Sequence, residues 1–389
     1  MYRKTFARID GNILKNNIQE IKKKYNNYEY YIGVVKNNAY MHGIYAVNDL
    51  IAGGINYLAT SSLEEAIDVR KYNLDIPILC LEPIEHEYIY DAINNNVTIT
   101  VESLEYLEKL NELKFKDILK IHLKVDSGMN RLGLKTTKEF NKAVKMIAEN
   151  KKFYLEGVYS HFATSGISDK YWDEQVSKFK EITKDVNLNT IPIVHFGRSL
   201  TLVNHSKISF CNGIRLGIIM FGFSQSMEKG NFIQELKRDL IIKKYNVSDT
   251  YRTNDLKLRT AFSLYSKVMS LRKINAGEFV GYNANFVAKE DTIIATIPVG
   301  YADGVTKKYG FVNIKNKRFK IVADTMDMIM VAVDKSVKIN DKVEIFGDNI
   351  KIKEITANLG INAYHLFNQI SNRVPRIHVT EGYEEEIKY

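Results

Sequence analysis

Between residues 30 and 217, eight short apolar, β-branched runs recur with helix-like segments between them. The runs fall at 30–35, 56–59, 77–81, 97–101, 119–125, 154–160, 192–196 and 213–217, and amphipathic stretches such as 62–71, 104–113, 138–149 and 173–184 separate them. A Ser or Thr often stands where it can cap the helix. Strands and helices alternating at this spacing call for a parallel sheet, and eight of them point to a closed (β/α)8 barrel. An open doubly wound sheet shares the local signature, but no glycine-rich dinucleotide fingerprint favours it.

The pattern then changes. Residues 222–258 are polar and charged, as in a linker or surface insertion with one helix over 232–244. From Thr260 onward strand-like alternation takes over, at 261–269, 291–298, 319–322, 329–333 and 343–346. The expected architecture is α/β: an N-terminal (β/α)8 TIM-like barrel over 1–245, carrying the insertion at its end, and a C-terminal mainly-β domain over 259–389. A chain of 389 residues with 45% apolar content can bury two such cores.

Composition narrows the partners. The formal charge is +9, but the lysines are scattered among glutamates and the longest basic run is Lys22-Lys23-Lys24. With no nucleic-acid motif present, we read the charge as a compositional bias, and expect no nucleic-acid partner. Cys80 and Cys211 lie in apolar contexts without metal-ligand spacing, so buried thiols in a reducing compartment are expected, and no metal. The amino terminus lacks the apolar core of a secretory signal and no run is long enough to span a bilayer. A cytoplasmic protein without membrane contact is expected.

Barrels of this kind place their chemistry at the carboxyl ends of the strands. The first run ends in Lys36, the fifth in Lys124-Val125-Asp126 followed by Arg131, the sixth in Ser160-His161, the seventh leads to Ser199, and the eighth holds Arg215. Lys36 ends an apolar run and opens a polar loop that closes at Gly43. A partly desolvated amine there stays neutral enough to attack a carbonyl and form a Schiff base, the chemistry of a pyridoxal phosphate enzyme. A strand-end lysine that merely snorkels to water is the plainer alternative.

The segments Val34–Gly43, His122–Gly133, Glu156–Thr164, Arg215–Ile218, Val280–Ala284, Pro298–Gly304 and Met326-Asp327 together resemble the alanine racemases of fold type III, over nearly the whole chain. The resemblance implies a cytoplasmic homodimer with shared active sites, pyridoxal 5'-phosphate as cofactor and interconversion of L- and D-alanine. It leaves open whether the D-alanine serves peptidoglycan synthesis or is broken down. It implies that Lys36 carries the cofactor and acts as base for the D-enantiomer, and that Tyr282 from the second subunit acts for the L-enantiomer. His161 and Arg215 would help the tyrosine ionise, and Arg215 would also face the pyridine nitrogen. Tyr40, Ser199 and the backbone of Gly217 and Ile218 would hold the phosphate. Arg131 would touch the phenolic oxygen, beside a Lys124 that is often carbamylated in the family. The backbone near Met326 would meet the substrate carboxylate, with Tyr301 and Asp327 lining the entrance. Taken singly, each of these residues also has an ordinary structural reading; their joint order carries the resemblance.

The chain departs from the family pattern at Asn37-Asn38 and Met41, at Arg198 before the phosphate-binding serine, and in the linker, about twenty residues longer than expected. Asn372 stands where many relatives have a tyrosine near the phosphate and the substrate side chain. A shorter amide leaves room and a hydrogen-bonding partner, which points to serine as a second substrate. Two other functions compete. A decarboxylase of the same plan would carry a cysteine-containing loop near the terminus and a triple-glycine phosphate loop, which this chain lacks, and a non-catalytic cofactor carrier would lack the second domain.

Overall fold

A computed structural model of the chain describes residues 2–164, 169–223, 236, 240, 256–381 and 383–387. The polar segment at 222–258 and the helix expected within it lie, but for isolated residues, outside the described residues. The chain divides into two units: Lys15–Asn37 with Leu50–Leu258, and Met1–Leu14 with Asn38–Asp49 and Arg259–Tyr389.

The first strand, β1 (Phe6–Asp10), belongs to the second unit. The first unit is a closed barrel of eight strands: β2 (Tyr30–Val34), β3 (Tyr57–Thr60), β4 (Ile78–Cys80), β5 (Val97–Val101), β6 (Leu119–Lys124), β7 (Phe153–Tyr159), β8 (Ile193–His195) and β9 (Gly213–Leu216). Neighbours run parallel, and β9 pairs back onto β2 through Tyr30↔Gly213 to Gly33↔Leu216. Each strand begins and ends within one residue of the run that announced it. The reason is local. Helices cover the outside and side chains fill the inside, so a strand such as β3 is buried at all four positions and reads as an unbroken apolar run. The helix starts follow their caps: Ser103 Oγ accepts from Tyr106 N at 3.1 Å, and Thr136 and Glu139 form a reciprocal capping box at 3.2 and 3.0 Å.

The second unit carries β10 (Phe262–Lys267), β11 (Ser270–Ile274), β12 (Phe279–Val280), β13 (Phe286–Val287), β14 (Thr292–Ile297), β15 (Phe311–Ile314), β16 (Lys317–Asp324), β17 (Ile329–Val333), β18 (Lys342–Phe346), β19 (Arg376–Thr380) and β20 (Tyr383–Ile387). Ten strands form one sheet in the order β11-β14-β17-β16-β15-β18-β10-β1-β19-β20, and β12 and β13 form a separate hairpin. Here the boundary drawn from sequence differs at the amino end. Residues 1–14 were assigned with the barrel, yet β1 is antiparallel to β10 and parallel to β19, burying Ala7 and Ile9 in the sheet. A strand's partners are a long-range property that five alternating residues do not announce.

Both cysteines are buried and unpaired, and among the described residues no helix is long and apolar enough to cross a membrane.

Candidate active site

Lys36, Lys124, Arg131, His161, Ser199, Arg215, Gly217 and Ile218 all fall at or beyond the carboxyl ends of barrel strands, on one rim. Lys36 itself is exposed, not partly desolvated as the sequence implied. β2 ends at Val34, the buried Val35 closes the core, and the next side chain lies past the packed interior.

Arg215 is the hub. Fully surrounded, its guanidinium donates to His195 Nδ1 at 2.5 Å and to His161 Nδ1 at 3.2 Å. Three carbonyls, of Ser160, Phe196 and His195, take the remaining bonds at 2.7, 3.1 and 3.2 Å. An arginine can only donate, so each imidazole nitrogen facing it must accept, and the proton on His161 sits on Nε2. Burial, then the charges of Arg215, Lys124, Arg198 and Arg131, push His161 down to about 2, so it stays neutral. Gln175 fixes the loop that carries it, donating to His161 O at 3.1 Å and accepting from Ala163 N at 2.9 Å.

Lys124 Nζ lies 4.1 Å over the Tyr159 ring, which also faces Arg215 at 5.3 Å and stacks on His195 at 4.7 Å. Burial first, then Arg215 and Arg131, hold the Lys124 ammonium well below its usual range, opposed only by Asp126. The loop after β6 is shaped by Asp126 Oδ1, which accepts from Gly128 N and Asn130 N at 3.0 Å each. Gly133 is required there: its φ is +129°, and a Cβ would lie 2.6 Å from Asp126 N. Arg131 stands exposed between these turns. Across the rim, Ser199 Oγ accepts from Gly217 N at 2.8 Å, joining two of the expected phosphate donors. Arg198 is half-buried, its amide donates to Thr201 Oγ1 at 3.1 Å, and its charge adds to the cationic field on His161.

After Lys36 the chain does something no motif indicated. Asn37, Asn38, Ala39, Tyr40 and Met41 have φ between 51° and 63°, so the helical turn that follows Lys36 is left-handed. Such a turn costs about 1 kcal/mol or more per non-glycine residue. The bonds Gly43 N to Asn38 O at 3.0 Å and Ile44 N to Asn38 Oδ1 at 2.7 Å offset part of that cost.

In the second unit, Tyr40 is buried with its ring 5.7 Å from Tyr364. The fully buried Arg376 donates to Met41 O at 3.3 Å, at the end of the left-handed turn, and to the carbonyls of Ser371, Val374 and Ile370 at 2.6–2.8 Å. It thereby ties the Tyr40 turn to the loop of Asn372, whose side chain is exposed. Sequence reading missed Arg376; its one signal is a charge opening the otherwise apolar Arg376-Ile377-His378-Val379 run. Tyr301 and Met326-Asp327 come together because Tyr301 N donates to Thr325 O at 3.1 Å and Ala302 N to Met326 O at 3.0 Å. A Cβ on Gly300 would lie 2.4 Å from Met326 O. Arg373 bridges Asp327 at 2.8 Å and the buried Asp303 at 3.4 Å. Tyr282 follows Gly281, whose φ of +79° and tight approach to Ala323 admit no side chain. Tyr282 is 73% and Met326 54% exposed within the chain.

The barrel rim thus offers an accessible amine, a hydroxyl beside a backbone amide, two arginine cations (Arg131 and Arg215), and Lys124, an amine pushed toward its neutral form with Asp126 as the one acid opposing that shift. That donor set fits an anionic aromatic aldehyde bearing a phosphate, such as pyridoxal phosphate.

Comparison with known proteins agrees. Residues 9–225 match the model of the alanine racemase N-terminal domain and residues 261–378 that of the alanine racemase C-terminal domain. Alanine racemase 1 of Bacillus subtilis is 34% identical over 396 aligned residues, covering 100% of this chain and 96% of the relative. Among solved structures, alanine racemase of Clostridium difficile 630 superposes with a TM-score of 0.87 at 29% identity, covering 100% of this chain and 99% of that one. The Bacillus anthracis alanine racemase with bound L-Ala-P gives 0.85 at 30% identity, covering 100% and 98%. Two domain models cover most of the chain and a full-length relative is 34% identical to it: the chain belongs to the alanine racemase family.

Proposed function

We propose that this chain racemises alanine with pyridoxal 5'-phosphate, as a cytoplasmic homodimer in which each site is completed by the partner subunit's Tyr282, Tyr301, Met326 and Asp327. The observation that supports this most directly is Lys36 on the same rim as the Arg215–His161 pair, in a chain of this family. The exposure of Tyr282 and Met326 in the single chain fits residues that serve a second copy.

When bound, the cofactor supplies the electron acceptor that makes the Cα hydrogen of an amino acid acidic. Racemisation then needs two bases on opposite faces of a planar carbon. Lys36 Nζ would hold the cofactor at its aldehyde carbon and would take or return the proton on the D face. The partner subunit's Tyr282 Oη serves the L face. A phenol with an ordinary pKa near 10 needs help to ionise near neutrality. His161, its Nδ1 occupied by Arg215, is left with an Nε2–H that can donate to the phenolate but cannot take its proton. Tyr40, Ser199, Gly217 and Ile218 would hold the phosphate and Arg131 the phenolic oxygen, and the permanent charge of Arg215 would disfavour a proton on the pyridine nitrogen. Lys124, disposed to be a neutral amine, adds carbon dioxide: Nζ bonds to its carbon, a proton leaves to solvent, and the resulting carbamate anion pairs with Arg131.

Serine is a second substrate in this reading, admitted by the short Asn372. Incubation of the cofactor-loaded protein with L-alanine, followed by chiral chromatography, tests the proposal: equal L- and D-alanine at equilibrium are expected. Release of carbon dioxide would identify a decarboxylase, and unchanged alanine beside bound cofactor a carrier.

A further inference from the structure

The barrel interior holds a second line of titratable groups behind Arg215. His195 Nε2 lies 3.0 Å from His122 Nδ1, and His122 Nε2, which makes no hydrogen bond of good geometry among the described residues, faces Glu156 Oε2 at 3.3 Å. Glu156 Oε2 also accepts from Tyr57 Oη at 2.6 Å and from Thr98 Oγ1 at 2.8 Å, while Lys120 Nζ stands 4.0 Å from Oε1. These groups come from β3, β5, β6, β7, β8 and β9, so the line crosses the barrel from the rim toward its opposite end. Room for it is built in: a Cβ on Gly157 would lie 2.5 Å from His122 Cε1.

We propose that Glu156 is a positioning residue for Arg215, holding the buried guanidinium from the far side of the barrel through His122 and His195. The direction of the line is fixed from the arginine end. Arginine only donates, so a neutral His195 accepts at Nδ1 and gives its Nε2–H to His122 Nδ1, which leaves the His122 Nε2–H facing the Glu156 carboxylate at 3.3 Å: both imidazoles are Nε2–H tautomers. Bonds aligned head to tail polarise one another, and the counter-charge of a buried cation reaches it without contact. A carboxylate placed directly on Arg215 would cancel its field at the rim; one held two imidazoles away stabilises the cation and spares that field. Burial raises the Glu156 pKa, but the close approach of His122 and the bonds from Tyr57 and Thr98 outweigh it and lower the carboxyl to about 2. Burial keeps His122 and His195 neutral.

The wiring stands on geometry alone; its consequence for the cofactor rests on the reading of Arg215 given above. The test is nitrogen-15 NMR of histidine-labelled full-length protein, with and without pyridoxal phosphate, with signals assigned by loss in His122→Asn and His195→Asn. Both residues are expected as Nε2–H tautomers from pH 6 to 8 in either state. An Nδ1–H tautomer or an imidazolium at either residue overturns the inference, whatever the wild-type protein does to alanine. Absence of racemisation with the tautomers as expected would instead count against the proposed activity. Glu156→Gln, which keeps an acceptor and removes the charge, should lower kcat about tenfold, leave KM for alanine unchanged and shift the kcat pH profile. A lower melting temperature with unchanged kcat and pH profile would make Glu156 merely structural and end the proposal.

Discussion

Two buried arginines show how differently the two units use a charge. In the barrel, Arg215 donates to two imidazoles and three carbonyls, and one of those imidazoles leads through a second to a carboxylate. In the β-rich unit, Arg376 donates to the main-chain carbonyls of Met41, Ile370, Ser371 and Val374. Carbonyls fix a cation and do nothing else, whereas imidazoles and carboxylates can shift charge when a neighbour does. Arg215 is therefore suited to a site where protons move, and Arg376 to holding two loops, those of Tyr40 and Asn372, at fixed separation. The barrel supplies responsive electrostatics and the β-rich unit supplies placement.

The sharpest way to break that contrast is at the two proposed bases. Lys36→Ala should abolish both racemisation and retention of the cofactor, while Tyr282→Phe should keep the visible cofactor band and lose activity by about 10³-fold or more, read by chiral chromatography and absorption. Equal loss of cofactor in both variants would contradict the division of labour. Next in size is Arg376→Met, which leaves buried carbonyls unpaired and should cost about 3 kcal/mol in urea unfolding. Unchanged stability would mean that the clamp carries no weight.

The barrel's side of the contrast predicts acid sensitivity. Burial holds His161 at about 2 and His205 at about 4, and pushes His122 and His195 down as well. The unfolded chain takes up these protons below its ordinary histidine pKa of about 6.5 and the folded chain does not. Stability is thus fully present above pH 6.5 and falls as pH drops toward the folded values, by up to about 1.4 kcal/mol per pH unit for each histidine. Urea midpoints measured from pH 7.5 to 5 should decline steeply; a flat profile would show that the buried histidines charge in place. Smaller still, Gly157→Ala should cost about 2 kcal/mol by crowding His122, and Asn372→Tyr should lower the serine-to-alanine rate ratio a few-fold. An unchanged ratio would remove serine from the proposal.

How much of this the sequence discloses follows from the range of the forces involved. The barrel strands were legible because burial on both faces leaves unbroken apolar runs, and the rim residues because they end those runs. β1 and β19 were not, since their identity rests on partners far away in the chain, as Ala7 between Leu264 and Arg376 shows; β11 and β15, paired with nearby β14 and β16, also went unread. The short helices Ile352–Leu359 and Ala363–Gln369 went unread as well. The left-handed turn at residues 37–41 had only the tolerance of Asn37 and Asn38 for positive φ to announce it, and Ala39, Tyr40 and Met41 argue locally against it. The Glu156–His122–His195 line did leave a trace, polar residues at inward positions of apolar strands, but nothing local pairs three such positions on three strands.

Borohydride reduction of the cofactor-loaded protein, followed by peptide mapping, tests the central assignment most directly, because it fixes pyridoxal phosphate to the lysine that holds it. Label confined to the peptide containing Lys36 is the predicted result; label on Lys124 or any other lysine, with Lys36 unmodified, would contradict it.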